Sequence, residues 1–316
     1  MSNKNHTNDV FEQTASQVKD SLVNRGILTA MKKIETADEL AALSQMSHDL
    51  FKKLGEALTI DLRYGDTIEQ MKLIPDKSID FICCDLPYGS TKNHWDIVIP
   101  FDELWEQYKR IIKDGGAIAL FGTGLFAYKL ALSNEKMYKY EIIWHKSKSG
   151  SSFTAKYRPV QKHENILIFG KGKVIYNPQL EEGEPYYRKR KANKGDKPNN
   201  HKLGVISESE TTNDGFRYPS TVQYFQQKWR RQDQLHSTQK PVELIEWLIN
   251  SYSNDGDTIL DNTFGSCTCG IACINTNRNF IGIENDEKHF NISLKRVEEK
   301  RKEKEFNLVT SFGDGM

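Results

Sequence analysis

The chain has 316 residues, enough for one large domain or two modest ones, and its apolar content of 37% is sufficient for a real hydrophobic core. Its 44 basic and 43 acidic residues leave a net charge of +1, so a nucleic-acid-binding surface would require an uneven distribution of charge. No stretch approaches the roughly 18 consecutive apolar residues of a membrane span, and the polar N-terminus lacks a signal-peptide core. We expect an intracellular, cytoplasmic protein with no membrane partner.

The five cysteines favour buried thiols over a metal site. They include an adjacent pair and a C-x-C, but not the C-x-x-C spacing that is typical of zinc sites. We therefore expect no bound metal.

Residues 1–57 predict a helical N-terminal extension, because apolar residues recur there at helical spacing without a recognisable motif. A strand over Ile60–Leu62 and a short helix over Thr67–Ile74 follow. Asp66, between them, lies at the tip of the predicted strand, where it could cap the helix or face a ligand.

The sequence Asp85-Leu86-Pro87-Tyr88-Gly89 follows the apolar run Ile79–Cys84, which predicts a short buried strand. In open α/β sheets, ligands bind outside the carboxyl ends of the strands. Pro87 restricts the backbone around it, so that the Asp85 carboxylate and the Leu86 carbonyl could converge on one NH2 group. Tyr88 could stack on the ring that carries this group. The segment predicts a pocket for a flat, amino-bearing ring.

Further strands and helices alternate along the chain. An amphipathic helix is predicted from Phe101 to Lys113, and apolar strands over Ala117–Phe121, Glu141–Trp144 and Asn165–Phe169. This alternation predicts an α/β fold with a doubly wound, mostly parallel sheet. We expect His163 and Glu164, beside the last of these strands, to be structural.

Residues 183–235 lose this periodicity and become basic, with eleven Lys and Arg against six Asp and Glu. Seven aromatic residues are interleaved with them. Basic side chains suit phosphates and aromatic rings suit bases, so the segment predicts a DNA-contacting insertion. A solvated loop is the alternative interpretation.

A second motif, Asp261-Asn262-Thr263-Phe264-Gly265-Ser266, follows the predicted strand Thr258–Leu260. The glycine turn continues to Gly270 and precedes a helix, and the next strand ends in Glu284. A carboxylate about twenty residues beyond a glycine turn suits ribose hydroxyls. Taken alone, such a turn is equally compatible with a nicotinamide or flavin protein.

Three segments together resemble the DNA amino-methyltransferases. Asp85 to Tyr88 resembles their D-P-P-Y signature, and Asp261 to Gly270 resembles their S-adenosylmethionine-binding turn. His236–Pro241 is similar to the segment that holds the methionine part of this cofactor. The order of these segments matches the β arrangement of the family, and the match runs from roughly Ile60 to Arg296.

The resemblance implies a Rossmann-like methyltransferase domain over residues 58–182 and 236–316, with residues 183–235 as an inserted target-recognition region. It implies S-adenosylmethionine as cofactor and double-stranded DNA as partner, and it allows a homodimer. The implied catalytic residues are Asp85, Leu86, Pro87 and Tyr88. The implied cofactor-binding residues are Asp66, Asp85, Thr238, Lys240, Asp261, Phe264, Gly265, Ser266 and Glu284.

The acid that opens the first signature favours methylation of adenine N6 over cytosine N4, which is the alternative. A nucleic-acid-binding protein without catalysis is a second alternative, and a protein or RNA amino-methyltransferase a third. The chain departs from the family pattern at three positions, Leu86, Cys267 and Cys269. We expect Leu86 to loosen the carbonyl that precedes Pro87, and Cys267 to narrow the room beside the cofactor.

Overall fold

The computed structural model describes residues 58–89, 96–148, 155–191, 208–227 and 239–314. The predicted N-terminal extension lies outside these ranges, as does Thr238. The helices are α1 Thr67–Lys72, α2 Phe101–Ile111, α3 Gly124–Ser133, α4 Val242–Tyr252, α5 Thr268–Asn275 and α6 Glu287–Asp314. The strands of the central sheet are β1 Ile60–Tyr64, β2 Ile79–Cys84, β3 Ile112–Gly122, β4 Tyr138–Lys146, β5 His163–Gly170, β10 Val222–Phe225, β11 Thr258–Asp261 and β12 Asn279–Glu284.

This central sheet has the order β1-β12-β11-β2-β3-β5-β4-β10. Every neighbouring pair is parallel except those of β5, which is antiparallel to both β3 and β4. The predicted doubly wound, mostly parallel α/β fold is confirmed. β10, which falls within the predicted insertion, pairs with β4, so this part of residues 183–235 belongs to the central sheet.

Helices cover both faces of the sheet, which explains the continuous apolar runs of its strands. In β2, Phe81 and Cys83 face a cluster with side chains of α4, α5 and α6. The alternate residues Ile82 and Cys84 face a second cluster with side chains of α1, α2 and α3. All six residues of β2 are buried, so the carboxyl end of this strand is held firmly in the core. Asp85 is the next residue and lies at the edge of the core.

The centre of the sheet is a topological switch point. β11 is followed along the chain by its neighbour β12, and β2 by its neighbour β3, so the chain runs outward from the β11–β2 pair in both directions. Such a switch point opens a crevice at the carboxyl ends of the strands. Asp85 and the glycine turn follow these two strands, so they flank the crevice.

Buried hydrogen bonds fasten this edge of the sheet to α1 and α2. The Asn262 side-chain oxygen accepts from the Tyr108 hydroxyl at 2.6 Å, and its amide nitrogen donates to Thr67 Oγ1 at 2.9 Å. Thr67 Oγ1 in turn donates to the Asn262 carbonyl at 2.6 Å. The turn after β11 is therefore held from two helices.

Two small antiparallel pairs of strands lie outside the central sheet. They fall within residues 183–235, except that one strand, β6 Glu181–Glu182, lies just before this segment. They pair β6 with β9 Phe216–Arg217, and β7 Tyr186–Arg190 with β8 Ser209–Asn213. All five residues of β7 are exposed. Within the described part of the chain, no helix has the length and apolar character needed to cross a membrane.

Candidate active site

A cavity of about 430 Å³ opens at the carboxyl edge of the sheet, between β11 and β2. Its walls come from the segments that follow β1, β2, β11 and β12. The predicted site residues among its lining are Asp66, Asp85, Leu86, Pro87, Tyr88, Lys240, Asp261, Phe264, Gly265, Ser266 and Glu284. The structure therefore brings together every predicted site residue that it describes.

The Asp85 carboxylate is held by two donors. The Tyr88 hydroxyl donates to Asp85 Oδ1 at 2.7 Å, and the Lys240 ammonium makes a close hydrogen bond to Oδ2. Burial raises the pKa of Asp85, and the charge of Lys240 offsets part of this rise. A carboxylate held in this way can still accept further hydrogen bonds, because each carboxylate offers about four acceptor positions.

Tyr88, for which stacking on a base is predicted, also contacts Asp85. Its ring packs against Phe126, with centroids 4.7 Å apart, while its hydroxyl reaches Asp85. Burial and the neighbouring Asp85 charge hold the pKa of Tyr88 well above its usual value. The hydroxyl therefore remains protonated and acts as a donor.

Leu86 stands where the family has a proline, and its neighbours restrain the backbone at this position. The Leu86 side chain is buried in the cluster with Ile68 and Leu104, so it is anchored in the core. Thr263 Oγ1 also donates to the carbonyl oxygen of Asp85 at 3.0 Å, immediately before Leu86. Packing and a hydrogen bond thus restrain the backbone, which we expected to be looser with leucine in place of proline.

The glycine turn is built around Glu284. One oxygen of its carboxylate accepts from the Gly265 backbone N–H at 2.8 Å, and the other from those of Asn285 and Asp286. Three accepted hydrogen bonds leave room for a further donor. A ribose hydroxyl is a donor of this kind, so the chemistry of Glu284 fits the predicted cofactor.

Asp66 follows β1 and lines the cavity, but it also performs the simpler of its two predicted roles. Its Oδ1 accepts from the backbone N–H groups of Ile68 and Glu69, both at 3.0 Å, and so caps α1. The cap fixes the position of this carboxylate at the cavity wall.

The expectation for Cys267 is wrong. Cys267 is fully buried in the core and is absent from the cavity lining, whereas Cys83 and Cys269 line it. Cys267 instead takes a left-handed conformation, with φ of 57°, at the start of α5. Its side chain points into the protein, so it does not narrow the cavity.

Sequence reasoning missed Glu164. Lys240, predicted to hold the cofactor, also lies 3.4 Å from Glu164 Oε2, and Glu164 Oε1 accepts a close hydrogen bond from Lys146. Burial alone would lower the pKa of Lys240, but Asp85 and Glu164 raise it above its usual value. A charged residue just before the buried part of β5 was the available signal.

Family comparison agrees with this geometry. Residues 79–295 match the N6/N4 methyltransferase family model, described as DNA methylase. The chain belongs to this DNA methylase family. Its members transfer methyl groups from S-adenosylmethionine to DNA, so the predicted class of enzyme and its cofactor are confirmed.

Three relatives align with most of the chain. The type II methyltransferase M.HinfI of Haemophilus influenzae is 27% identical over 74% of this chain and 67% of its own. M.HpaI of Haemophilus parainfluenzae, also a type II methyltransferase, is 28% identical over 80% and 77%. The DNA adenine methyltransferase YhdJ of Escherichia coli K12 is 26% identical over 74% and 81%.

Two solved structures share the fold. The M1.HpyAVI–SAM complex has a TM-score of 0.53 and 24% identity, and it covers 76% of this chain and 99% of its own. The cytosine-N4-specific PvuII DNA methyltransferase has a TM-score of 0.55 and 14% identity, with 83% and 95% covered. These likenesses establish the architecture.

We predict a pH dependence of stability from Asp261. Burial, reinforced by the Asp85 and Glu284 carboxylates, raises the pKa of Asp261 to about 7. An acid whose pKa is higher in the folded than in the unfolded state stabilises the fold at low pH, and this contribution is lost as the pH rises. The pKa of an aspartate in the unfolded chain is near 4, so this stabilisation is lost between about pH 4 and pH 7.

Urea unfolding without cofactor should therefore show that, as the pH rises from about 5 to about 8, the free energy of unfolding of Asp261→Asn increases by roughly 2 kcal/mol relative to that of wild type. The asparagine can still accept the Thr263 N–H, which lies 3.2 Å from Asp261 Oδ1. Asp214→Asn, at an exposed carboxylate, is the control. Parallel pH profiles for wild type and Asp261→Asn would contradict the assignment.

Proposed function

We propose that the chain methylates the exocyclic N6 amine of adenine in double-stranded DNA, with Asp85 and the Leu86 carbonyl as acceptors for this amine. The observation that carries the proposal is the Asp85 carboxylate, fixed at the cavity by Tyr88 and Lys240. The acid at the start of the motif and the relative named as a DNA adenine methyltransferase both favour adenine over cytosine N4.

The proposed chemistry depends on the lone pair of the amine. This pair is delocalised into the adenine ring, so the nitrogen is a poor nucleophile until its two N–H groups are held by acceptors. Asp85 and the Leu86 carbonyl would localise the pair on nitrogen and orient it for attack. S-adenosylmethionine, when bound, supplies an electrophilic methyl group. Asp85 would receive the proton that the amine loses.

Cofactor binding is proposed for residues on the other side of the cavity. Glu284 would accept hydrogen bonds from ribose hydroxyls, and Phe264 offers an aromatic surface beside the glycine turn. Gly265, with φ of 54° and no Cβ, would let the cofactor approach the backbone closely, and Ser266 would bind the cofactor beside it. The remaining residues proposed to bind the cofactor are Asp66, Asp85, Thr238, Lys240 and Asp261.

The target base must leave the duplex to reach this cavity, at a cost of a few kcal/mol. Stacking on Tyr88, at about 1 to 3 kcal/mol per base, would offset this cost. The hairpin β7–β8 adds exposed basic and aromatic side chains, namely Tyr186, Tyr187, Arg188, Lys189 and Arg190. We assign DNA contact to this part of residues 183–235.

Two further expectations belong to the same proposal. An enzyme that modifies cellular DNA is expected in the cytoplasm. The homodimer that the sequence allows stays a prediction, and sedimentation of the purified protein measures it.

The identity of the modified base tests the proposal directly. DNA methylated by the purified enzyme is digested to nucleosides, and the methylated nucleoside is identified by mass spectrometry. We expect N6-methyladenosine in its deoxy form. Detection of N4-methylcytosine would show that cytosine, not adenine, is the target. Detection of no methylated base in the DNA would reject the proposed function.

Asp85→Asn tests the acceptor role. The amide can still accept from Tyr88, but it is neutral and its nitrogen donates where the carboxylate has a second acceptor oxygen. It therefore offers a weaker acceptor to the N–H of the amine, and methyl transfer should fall at least about 100-fold. Transfer of labelled methyl groups to DNA measures this, and thermal unfolding verifies the fold. Asp114→Asn, at the opposite edge of the sheet, is the matched control. A rate for Asp85→Asn above half of wild type would exclude the assignment.

Substitution of Arg188 and Arg190 tests the DNA-binding surface. These two residues lie on the same face of β7, because alternate residues of a strand share one face. If each contacts a phosphate, Arg188→Ala/Arg190→Ala should lower the slope of log K against log salt by about 2. Anisotropy of a labelled duplex, measured from about 50 to about 200 mM salt, gives the slope. Lys171→Ala/Lys173→Ala, beyond the end of β5 at the opposite edge, is the control. Equal slopes for both double variants would reject this surface.

A further inference from the structure

Four side chains of alternating charge form a chain that ends at the proposed acceptor. Lys146 contacts Glu164, Glu164 contacts Lys240, and Lys240 contacts Asp85. Their side chains are 17%, 15%, 8% and 25% exposed in this order. Ion pairs with so little exposure are not the weak surface pairs whose removal changes little.

The direction of β5 explains how Glu164 reaches the site. β5 is antiparallel to β3, with Asn165 opposite Gly122, so its first residues lie at the edge where the parallel strands end. Glu164 lies opposite Trp144 of β4, and Lys146 is two residues further along β4 on the same face. The ring of Phe121, at the end of β3, packs 5.0 Å from the Lys240 ammonium. β4 and β5 thus supply Lys146 and Glu164, and β3 supplies the ring that packs against Lys240 at the cavity.

Asp85 has to direct an acceptor position towards the amine while each of its oxygens already holds a donor. One of its oxygens accepts from Tyr88 and the other from Lys240. If the carboxylate turns towards the amine, its bond to Lys240 weakens, and the buried ammonium needs another anion. Loss of an anionic partner from a buried ammonium is destabilising, so the pairing with Lys240 resists movement of Asp85. Glu164 Oε2, 3.4 Å from Lys240 Nζ, is that second anion.

We propose that Glu164 is a positioning residue for methyl transfer, which keeps Lys240 paired and thereby lets Asp85 engage the target amine. The inference rests on the proposed role of Asp85. Glu164 itself acts only through Lys240. Lys146 orients Glu164 from the other side.

Glu164→Gln tests this role, because glutamine preserves size and removes the charge. Lys240 then has Asp85 as its one anionic partner among these four residues, and the single-turnover rate of methyl transfer should fall at least tenfold. The Kd for S-adenosylmethionine, measured by calorimetry, should change less than threefold. Glu141→Gln, at an exposed carboxylate on β4 that accepts from Asn165, is the matched control and should retain the wild-type rate.

A double variant separates positioning from simple charge balance. If Glu164 merely neutralises Lys146, then Glu164→Gln/Lys146→Met, which removes one charge of each sign, should recover the wild-type rate. If Glu164 acts through Lys240, the double variant should remain at least tenfold slow. Recovery of the rate would overturn the proposal.

Further outcomes also decide the question. A folded Glu164→Gln protein whose rate is within threefold of wild type would overturn the proposal, as would equal losses of rate and cofactor affinity. If Glu164→Gln does not fold, Glu164→Asp is measured instead: a several-fold lower rate per folded molecule supports positioning, and a full rate rejects it. The proposed function fails separately, namely if wild type transfers no methyl group or Asp85→Asn is as active as wild type.

Discussion

The pairing of β11 with β2 is the constraint on which the site depends. Ile259 lies beside Phe81 and Leu260 beside Ile82, so two segments far apart in the sequence leave the sheet next to each other. A side-chain contact completes this junction, because Thr263 Oγ1 donates to the Asp85 carbonyl and lies 2.9 Å from Cys84 Sγ. The proposed acceptor for the amine and the glycine turn proposed to bind the cofactor therefore open onto one cavity. Neither segment could form the site alone.

Charge burial is the second constraint. A carboxylate that must accept hydrogen bonds from a base works best where water does not compete, yet burial disfavours its charge. In this protein, Lys240 supplies a compensating charge to Asp85, and Glu164 compensates Lys240 in turn. Burial opposes the charge of Glu164, but Lys240 and Lys146 hold its pKa below the usual value. The alternating charges allow a buried anion to exist at the cavity.

Much of this arrangement was predictable from sequence because it depends on local signals. The apolar run Ile79–Cys84 predicted β2 with its observed bounds, and the residues that follow it predicted the cavity. Glu164 was not predictable in this way. Its contact with Lys240 depends on the antiparallel direction of β5, and no local pattern distinguishes that direction from a parallel one. Similarly, Val222–Phe225 gave no strand signal within a basic segment, and only its pairing with β4 places it in the sheet.

The glycine turn shows how a departure from a family pattern can be compensated by a neighbour. Cys267 has the left-handed conformation that costs about 1 to 2 kcal/mol for residues with a Cβ, and that glycine adopts freely. Its side chain is fully buried, which contributes part of the compensation. One turn later, a Cβ on Gly270 would lie 2.5 Å from Cys267 Sγ, so only glycine fits there. The cysteine occupies space that Gly270 leaves open, and the two positions form one packing unit. The cysteine at this position therefore lies behind the wall that faces the cavity, where Gly265 and Ser266 remain.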